Sequence, residues 1–571
     1  MNESNSTIYA LRKSPIIRMF IWLAIGIAVV GISVAFSLRI THKPEITSLN
    51  PPVGSPGDLV IIEGKDFGSE RGDSYVEFGG SRLTASSYIS WNDTEIKVVL
   101  PANVQEGLVV VGTKKTKSKP SFFANKIAAP VAVSSNPISE IPVITVIYPE
   151  KVYAGTLLRI SGNNFGSSRE RSLVFFSVDR EKNINIDEST RKLNNNEDFS
   201  FIPASEFDFD YEYWSDNEIR VRVPDGASSG NIFVRTAKGS STPRKLEIDA
   251  KAGKKSYISP KTYVVQISVD VEESSGDKDS SIILRCPRPV VSSSQPSVQL
   301  TEYSPEPVIA DFQNTVIHQM QGTGSKNSFG KKRFVQNFAV TVYETRTNVS
   351  VARLNQNSDY SAMLRLKTLQ ADECIPSNDS SVIELAKKIT KNEKNAYNIA
   401  ALIYNYMISE FVVLKDIRKG NISPVDLIRT KKGDAYDFAI IYTALLRACG
   451  ISALPNSGVL VGADLKTQNH WWCEFYLPGF GWIPVDPALG AGLEYHSWQK
   501  GIEPSVYYFG NLDSQHILFS RGWNEIKPTA PNNKAVQRPR SYSLQSIWEE
   551  ASGEKIKYSS YWADPIIIGV Y

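Results

Sequence analysis

His470 and Asp486 stand sixteen residues apart in the runs His470-Trp471-Trp472-Cys473-Glu474-Phe475-Tyr476-Leu477-Pro478-Gly479 and Gly481-Trp482-Ile483-Pro484-Val485-Asp486-Pro487. A histidine oriented by an aspartate is the general-base half of a nucleophilic site, and it needs a thiol or hydroxyl to activate. Upstream stands the run Gly433-Asp434-Ala435-Tyr436-Asp437-Phe438-Ala439. Phe438, Ile441, Tyr442, Leu445, Leu446 and Cys449 recur at helical spacing, Asp434 is a good N-cap residue, and Gly450 supplies a C-terminal stop. Residue 435 is therefore the first helical position, where free N–H groups and the helix dipole would stabilise a thiolate. It is an alanine, and a methyl group attacks nothing.

These three runs, in this order, resemble the transglutaminase-like family, whose pattern is G-x-C-x-x-F, then H-x-W-x-E-x-Y-x-P-G, then G-W-x-P-x-D-P. The family's cysteine falls on Ala435, its histidine on His470 and its aspartate on Asp486. The resemblance implies a papain-like fold in which the histidine pairs with the thiolate and the aspartate orients the imidazole. No neighbour replaces the missing thiol. Cys449 is roughly 21 Å along the same helix at about 1.5 Å per residue. Cys473 lies three positions from His470 on a strand, so alternation turns it to the other face. Tyr436 and Asp434 are poor acyl-transfer nucleophiles. Two readings follow: a His470–Asp486 pair kept as a buried polar contact, or a cleft reused to bind peptide or glycan without turnover. Trp471, Trp472 and Trp482 are the candidate binding residues.

The elements that position these groups are read next. Met19 to Leu38 carries no charge over about twenty residues, enough to span a bilayer core of about 30 Å. The expected order is a cytoplasmic tail (1–15), a transmembrane helix (16–38) and the bulk of the chain outside the cytoplasm, in the periplasm or at the cell surface of a prokaryote. A cleaved signal peptide is the rival reading, and its apolar region would be too long. Four cysteines (Cys286, Cys374, Cys449, Cys473) make no disulfide framework. With a net charge of +3 and mixed signs, nothing points to nucleic acid. The cluster Lys114, Lys115, Lys117 and Lys119 reads as a solvated turn.

Residues 43–125 and 141–250 repeat one another. Gly64-Lys65-Asp66-Phe67-Gly68 and Trp91-Asn92-Asp93 return as Gly162-Asn163-Asn164-Phe165-Gly166 and Trp214-Ser215-Asp216. Both segments resemble the immunoglobulin-like IPT/TIG modules, which implies small β-sandwiches acting as spacers or binding domains. A linker is expected at 126–140, a β-rich domain at 256–356, the transglutaminase-like domain at 357–530 and a C-terminal extension at 531–571 with a short helical pattern near Leu544–Trp548. Within the second repeat, Glu206, Asp208, Asp210 and Glu212 alternate with Phe207, Phe209, Tyr211 and Tyr213. That alternation reads as an amphipathic strand with one wet face. Calcium is the other reading of four carboxylates, and no Asp-x-Asp-x-Asp-Gly loop accompanies them. His516 reads as a packing or hydrogen-bonding histidine, because no Cys or His stands at metal-ligand spacing. No metal or other cofactor is expected.

The fold class expected is thus multidomain: a transmembrane helix, two Ig-like sandwiches, a β-rich domain and an α+β transglutaminase-like domain. The expected role is a membrane-anchored envelope protein whose cleft lacks its nucleophile and binds or braces, with a protein, peptide or cell-wall ligand as partner. The alternative is an active amidase, peptidase or cross-linking enzyme whose nucleophile is altered in this sequence or lies elsewhere.

Overall fold

The structure is a computed structural model. It describes most of residues 43–125 and 141–571, apart from 182–198, 277–279, 322–330, 355–359, 529–532 and a few isolated positions. The tail 1–15, the linker 126–140 and, four helical positions excepted, the segment 16–38 lie outside the described residues. Among the described residues no helix is long and apolar enough to cross a membrane. The chain divides into two units, residues 1–128 and 129–571.

The first unit holds a β-sandwich. One sheet runs Glu45–Asn50, Leu59–Lys65, Glu95–Val99, Tyr88–Trp91 in spatial order, and the facing sheet runs Val53–Gly54, Ser121–Asn125, Gly107–Gly112, Tyr75–Phe78, Ser81–Arg82. Alternation along the strands puts Val60, Ile62, Ile96, Val98, Val109 and Val111 into a sealed core. The repeated motif is structural glue. The Trp91 indole N–H donates to the Phe67 carbonyl (3.2 Å), and the Gly68 N–H donates to the Asp93 carboxylate (2.9 Å). Gly64 admits no side chain, since a Cβ there would sit 2.0 Å from the Glu45 carbonyl oxygen.

The second unit opens with the same architecture at 143–248, sheet for sheet. Trp214 donates to the Phe165 carbonyl (3.1 Å), Gly166 to Asp216 (3.0 Å), and a Cβ on Gly162 would meet the Val143 carbonyl at 2.0 Å. The acidic run departs from expectation. Residues 205–209 form a turn with Phe209 in the left-handed region (φ 55°), so only Tyr211–Trp214 is strand and the alternation has no common wet face. Its carboxylates go separate ways: Glu206 to Arg169, Asp208 to Arg521, Glu212 to Arg222, while buried Asp210 accepts from the Ser205 N–H.

A 23-residue strand, Gly253–Ser275, forms the spine of the β-rich part. It pairs antiparallel with Lys332–Val349 on one side and with Lys557–Trp562 and Ile566–Val570 on the other. The companion sheet runs Ile309–Phe312, Thr315–Gln321, Ser281–Pro287, Glu549–Ser552, Lys534–Val536 in spatial order. Residues 534–571 therefore complete the β-rich sheets, and residues 544–548 are bends and extended backbone, not the helix their pattern suggests. Between these two halves sits an α+β core. The helices Ala362–Leu369, Ser380–Thr390, Ala396–Glu410 and Ala435–Ala448 accompany an antiparallel sheet ordered Gly481–Val485, Thr467–Leu477, Ala453–Val461, His516–Arg521. The Ala435–Ala448 helix is buried all round, more than its single apolar stripe implies, because strands and five other helices pack against it.

Candidate functional site

The helix that begins at Ala435 is held at its N-terminus by a capping box. The Asp437 N–H donates to Asp434 (3.1 Å), and the Asp434 N–H donates back to Asp437 (3.0 Å). Both carboxylates are buried, and two arginines answer them. Arg540 forks onto both oxygens of Asp434 (2.7 and 2.8 Å) and reaches Asp437 (2.8 Å). Arg418 donates to Asp437 (2.5 Å) through its guanidinium and to Asp434 (2.7 Å) through its backbone N–H. Burial and the Asp434 charge still push the Asp437 carboxyl up, with the arginines opposing. The Arg540 guanidinium also lies 4.5 Å from the Tyr436 ring centre. Ala435 is thus the first residue of a rigidly held helix, 6% exposed.

His470 projects from the central strand Thr467–Leu477, and Asp486 caps the short helix Pro487–Gly490 that follows the hairpin. The structure brings the two together: His470 Nε2 donates to Asp486 Oδ2 at 2.6 Å, with both side chains sealed from solvent. The other carboxylate oxygen accepts the N–H groups of Ala488 (3.1 Å) and Leu489 (2.9 Å). The aspartate thereby sets the tautomer. Nε2 carries the proton, leaving His470 Nδ1 as a bare, buried nitrogen without a partner among the described residues.

A second histidine backs this pair. His516 Nε2 lies 3.1 Å from Asp486 Oδ2, and its Nδ1 lies 2.8 Å from Asp513 Oδ1. Each ring nitrogen faces a carboxylate, so the ring is an imidazolium that donates in both directions. Burial would lower its pKa, but Asp513 and Asp486 outweigh burial and push it up to about 9. Asp486 is held well below the usual carboxylate range, since His470 and His516 overcome the opposing effect of burial. Asp513 is also lowered; burial opposes this, and His516 and the hydroxyls of Tyr495 and Tyr508 overcome it. The result is a relay His470–Asp486–His516–Asp513. The sequence reads His516 as a packing or hydrogen-bonding histidine, and the structure adds its charge and its place behind Asp486. Its signal was Asp513-x-x-His516, an acid and a histidine at close spacing.

His470, Asp486 and His516 bring three ligand-type atoms within 4.8 Å of one another. Around a tetrahedral zinc with bonds of about 2.0 Å, ligand atoms are separated by about 3.3 Å. The 2.6 Å contact is shorter and is a hydrogen bond.

Of the three candidate binding tryptophans, Trp471 is wholly buried between the sheet and the helix and meets Tyr436 edge-on at 5.6 Å. It offers no surface. Trp472 lies nearly parallel to His470 and edge-on to His516, covering the relay. Trp482 donates to Asp208 (3.2 Å), which also accepts two bonds from Arg521. Trp472 and Trp482 are almost fully buried, yet both border a cavity of about 1030 Å³. All four cysteines are free thiols. Cys473 donates to the Ala439 carbonyl (3.1 Å) on the helix side of the sheet, and burial pushes it far up. Burial also pushes Cys286 and Cys374 up to about 12 and raises Cys449. None is set to ionise.

Residues 383–487 match the transglutaminase-like superfamily, and residues 44–124 match the IPT/TIG domain. Among solved structures, the periplasmic domain of TgpA from Pseudomonas aeruginosa is similar at 13% identity, covering 42% of this chain and 88% of that one, with a TM-score of 0.24. A cyclomaltodextrin glucanotransferase of Paenibacillus macerans is 38% identical over 79 residues, 14% of this chain and 11% of that protein. An uncharacterized protein of Haemophilus influenzae is 27% identical over 172 residues, 25% of this chain and 46% of that one. The chain thus spans less than half the length of either of these two relatives. It carries a transglutaminase-like domain, built around the Ala435 helix and the His470–Asp486 pair, and an IPT/TIG domain nearer its N-terminus.

Proposed function

We propose that this is a membrane-anchored cell-envelope protein whose transglutaminase-like cleft binds a peptide ligand without turning it over. The observation that carries this is the chemistry at the helix start. An acceptor-ready His470 Nδ1 is held by Asp486, while residue 435 has only a methyl group and every cysteine thiol is raised by burial. Acyl transfer needs a nucleophile within hydrogen-bond reach of the base, and no side chain at 435 supplies it. The uncharged stretch Met19–Leu38 supports an anchor, and the Ig-like modules then serve as spacers. A second reading, an active thiol enzyme whose natural residue 435 is cysteine, draws support from the intact His470–Asp486 pair.

The test compares the chain as given with Ala435→Cys, assaying amine incorporation and amide hydrolysis on peptide substrates together with iodoacetamide alkylation from pH 5 to 9. The given chain is expected to be silent. Ala435→Cys is expected to gain a thiol that alkylates rapidly below pH 7, and to lose that property when His470→Gln is added. Turnover by the given chain would overturn the reading.

A further inference from the structure

Two histidines share one carboxylate oxygen. His470 Nε2 and His516 Nε2 both approach Asp486 Oδ2, at 2.6 and 3.1 Å, and their ring centres stand 5.6 Å apart. The acceptors around them are fully committed. Asp486 Oδ1 takes the N–H groups of Ala488 and Leu489. Asp513 takes His516 Nδ1 (2.8 Å), the Gln515 N–H (3.0 Å) and the hydroxyls of Tyr495 and Tyr508. Both carboxylates thus act wholly as acceptors, which is the bonding of an ionised group. Tyr404 and Cys473 also lie near Asp486, and Tyr263, Tyr495, Tyr507 and Tyr508 lie near Asp513. Burial raises all six, so none of them adds a charge.

The two rings are not equivalent toward one further proton. His516 has an acceptor for each N–H, Asp486 on one side and Asp513 on the other. His470 has only Asp486, and its Nδ1 is sealed from solvent with no partner among the described residues. Protonating that nitrogen would bury an N–H and a positive charge with nothing to accept the hydrogen bond, which is costly. Trp472 lies nearly parallel to the His470 ring (6.2 Å) and edge-on to His516 (5.1 Å), closing the pair off further. Hydrogen bonding therefore sends the proton to His516. Once there, its charge opposes a second one. At 5.6 Å and an effective dielectric constant of about 20, it disfavours a charged His470 roughly a hundred-fold.

We infer that His516 is a positioning residue of the cleft: it takes the pair's proton, pins Asp486 from behind, and keeps His470 neutral with a bare Nδ1. A base accepts a proton only while it is bare, so the second histidine guards the acceptor that Asp486 orients. This role belongs to the base and is the same whether or not the cleft turns over its ligand. The experiment is nitrogen-15 NMR of the full chain labelled only at histidine, from pH 5 to 8, with signals assigned by their loss in His470→Gln and His516→Gln. At pH 7 the native chain is expected to show one bare and one protonated nitrogen for His470, and two protonated nitrogens for His516. In His516→Gln, the bare-nitrogen signal of His470 is expected to give way at a proton concentration roughly a hundred-fold lower than in the native chain. His516→Lys returns a cation and should keep the bare nitrogen, an outcome that a purely structural role for the imidazole does not give. Asp513→Asn leaves Asp486 untouched, and His516 should then show a bare nitrogen by pH 8; if His516→Gln fails to fold, this variant and the native spectrum still decide. A charged His470 beside a neutral His516 in the native chain overturns the assignment. So does a His470 signal with the same pH dependence in the native chain and in folded His516→Gln, or a His516 that stays doubly protonated at pH 8 in Asp513→Asn.

Discussion

Replacing His516 with glutamine removes the positive charge clamped between Asp486 and Asp513 and leaves two buried carboxylates facing each other across a neutral amide. The magnitude follows from the imidazole's shift. Raising it from its ordinary 6.5 to about 9 corresponds to about 3 kcal/mol of stability. Breaking a buried charge pair from one side costs about 3–5 kcal/mol, which agrees. The sign is set by the direction. A raised pKa contributes fully below 6.5, and the contribution is lost as pH rises through about 9. The gap between native chain and His516→Gln is therefore expected to be widest at pH 6 and to shrink by pH 10. Urea unfolding followed by tryptophan fluorescence reads it, because Trp472 packs edge-on against His516. A gap that is the same at pH 6 and pH 10, or that stays below about 1 kcal/mol throughout, would refute the imidazolium clamp.

Arg540→Gln should loosen the start of the Ala435 helix by about 3 kcal/mol, since both capping carboxylates lose their fork; hydrogen exchange of the amides at 434–438 measures it. Gly162→Ala should destabilise the second sandwich by about 1–3 kcal/mol, because its Cβ would collide with the Val143 carbonyl, and urea unfolding should show a lowered midpoint. Asp208→Ala strips Arg521 of one of its two acidic partners and removes the acceptor of the Trp482 indole, so limited proteolysis should cut the 199–214 segment faster than in the native chain.

What the sequence makes legible is what local spacing controls. The Gly-x-x-Phe-Gly and Trp-x-Asp motifs close on one another within a single module, so Trp91 and Asp93 reach Phe67 and Gly68 as the repeat suggests. The contact of His470 with Asp486 is implied by the family resemblance and is not fixed by spacing along the hairpin. What stays hidden depends on distant partners. Asp208 is part of an alternating run until Arg521, far along the chain, pulls it into a buried turn. Trp471 reads as a binding aromatic until the Tyr436 helix covers it. His516 is charged chiefly by Asp513, three residues away, and Asp486, thirty residues upstream, adds the second contact that local spacing does not show. The final strands defeat local reading altogether, since Ser559 bonds to Glu272 across 287 residues.

That last pairing has a consequence for how the molecule is made. The strand Gly253–Ser275 emerges from the ribosome long before Lys557–Val570, so one of its margins stays open while some three hundred further residues are synthesised. An unprotected strand margin is a template for pairing with other chains. The α+β core is threaded through the scaffold as an insertion, with both its ends tied to the same pair of sheets, and it closes that scaffold only when the last strands arrive. A stop codon between Arg521 and Lys557 would therefore keep His470, Asp486 and His516 in the chain and still leave that margin of the long strand unpaired.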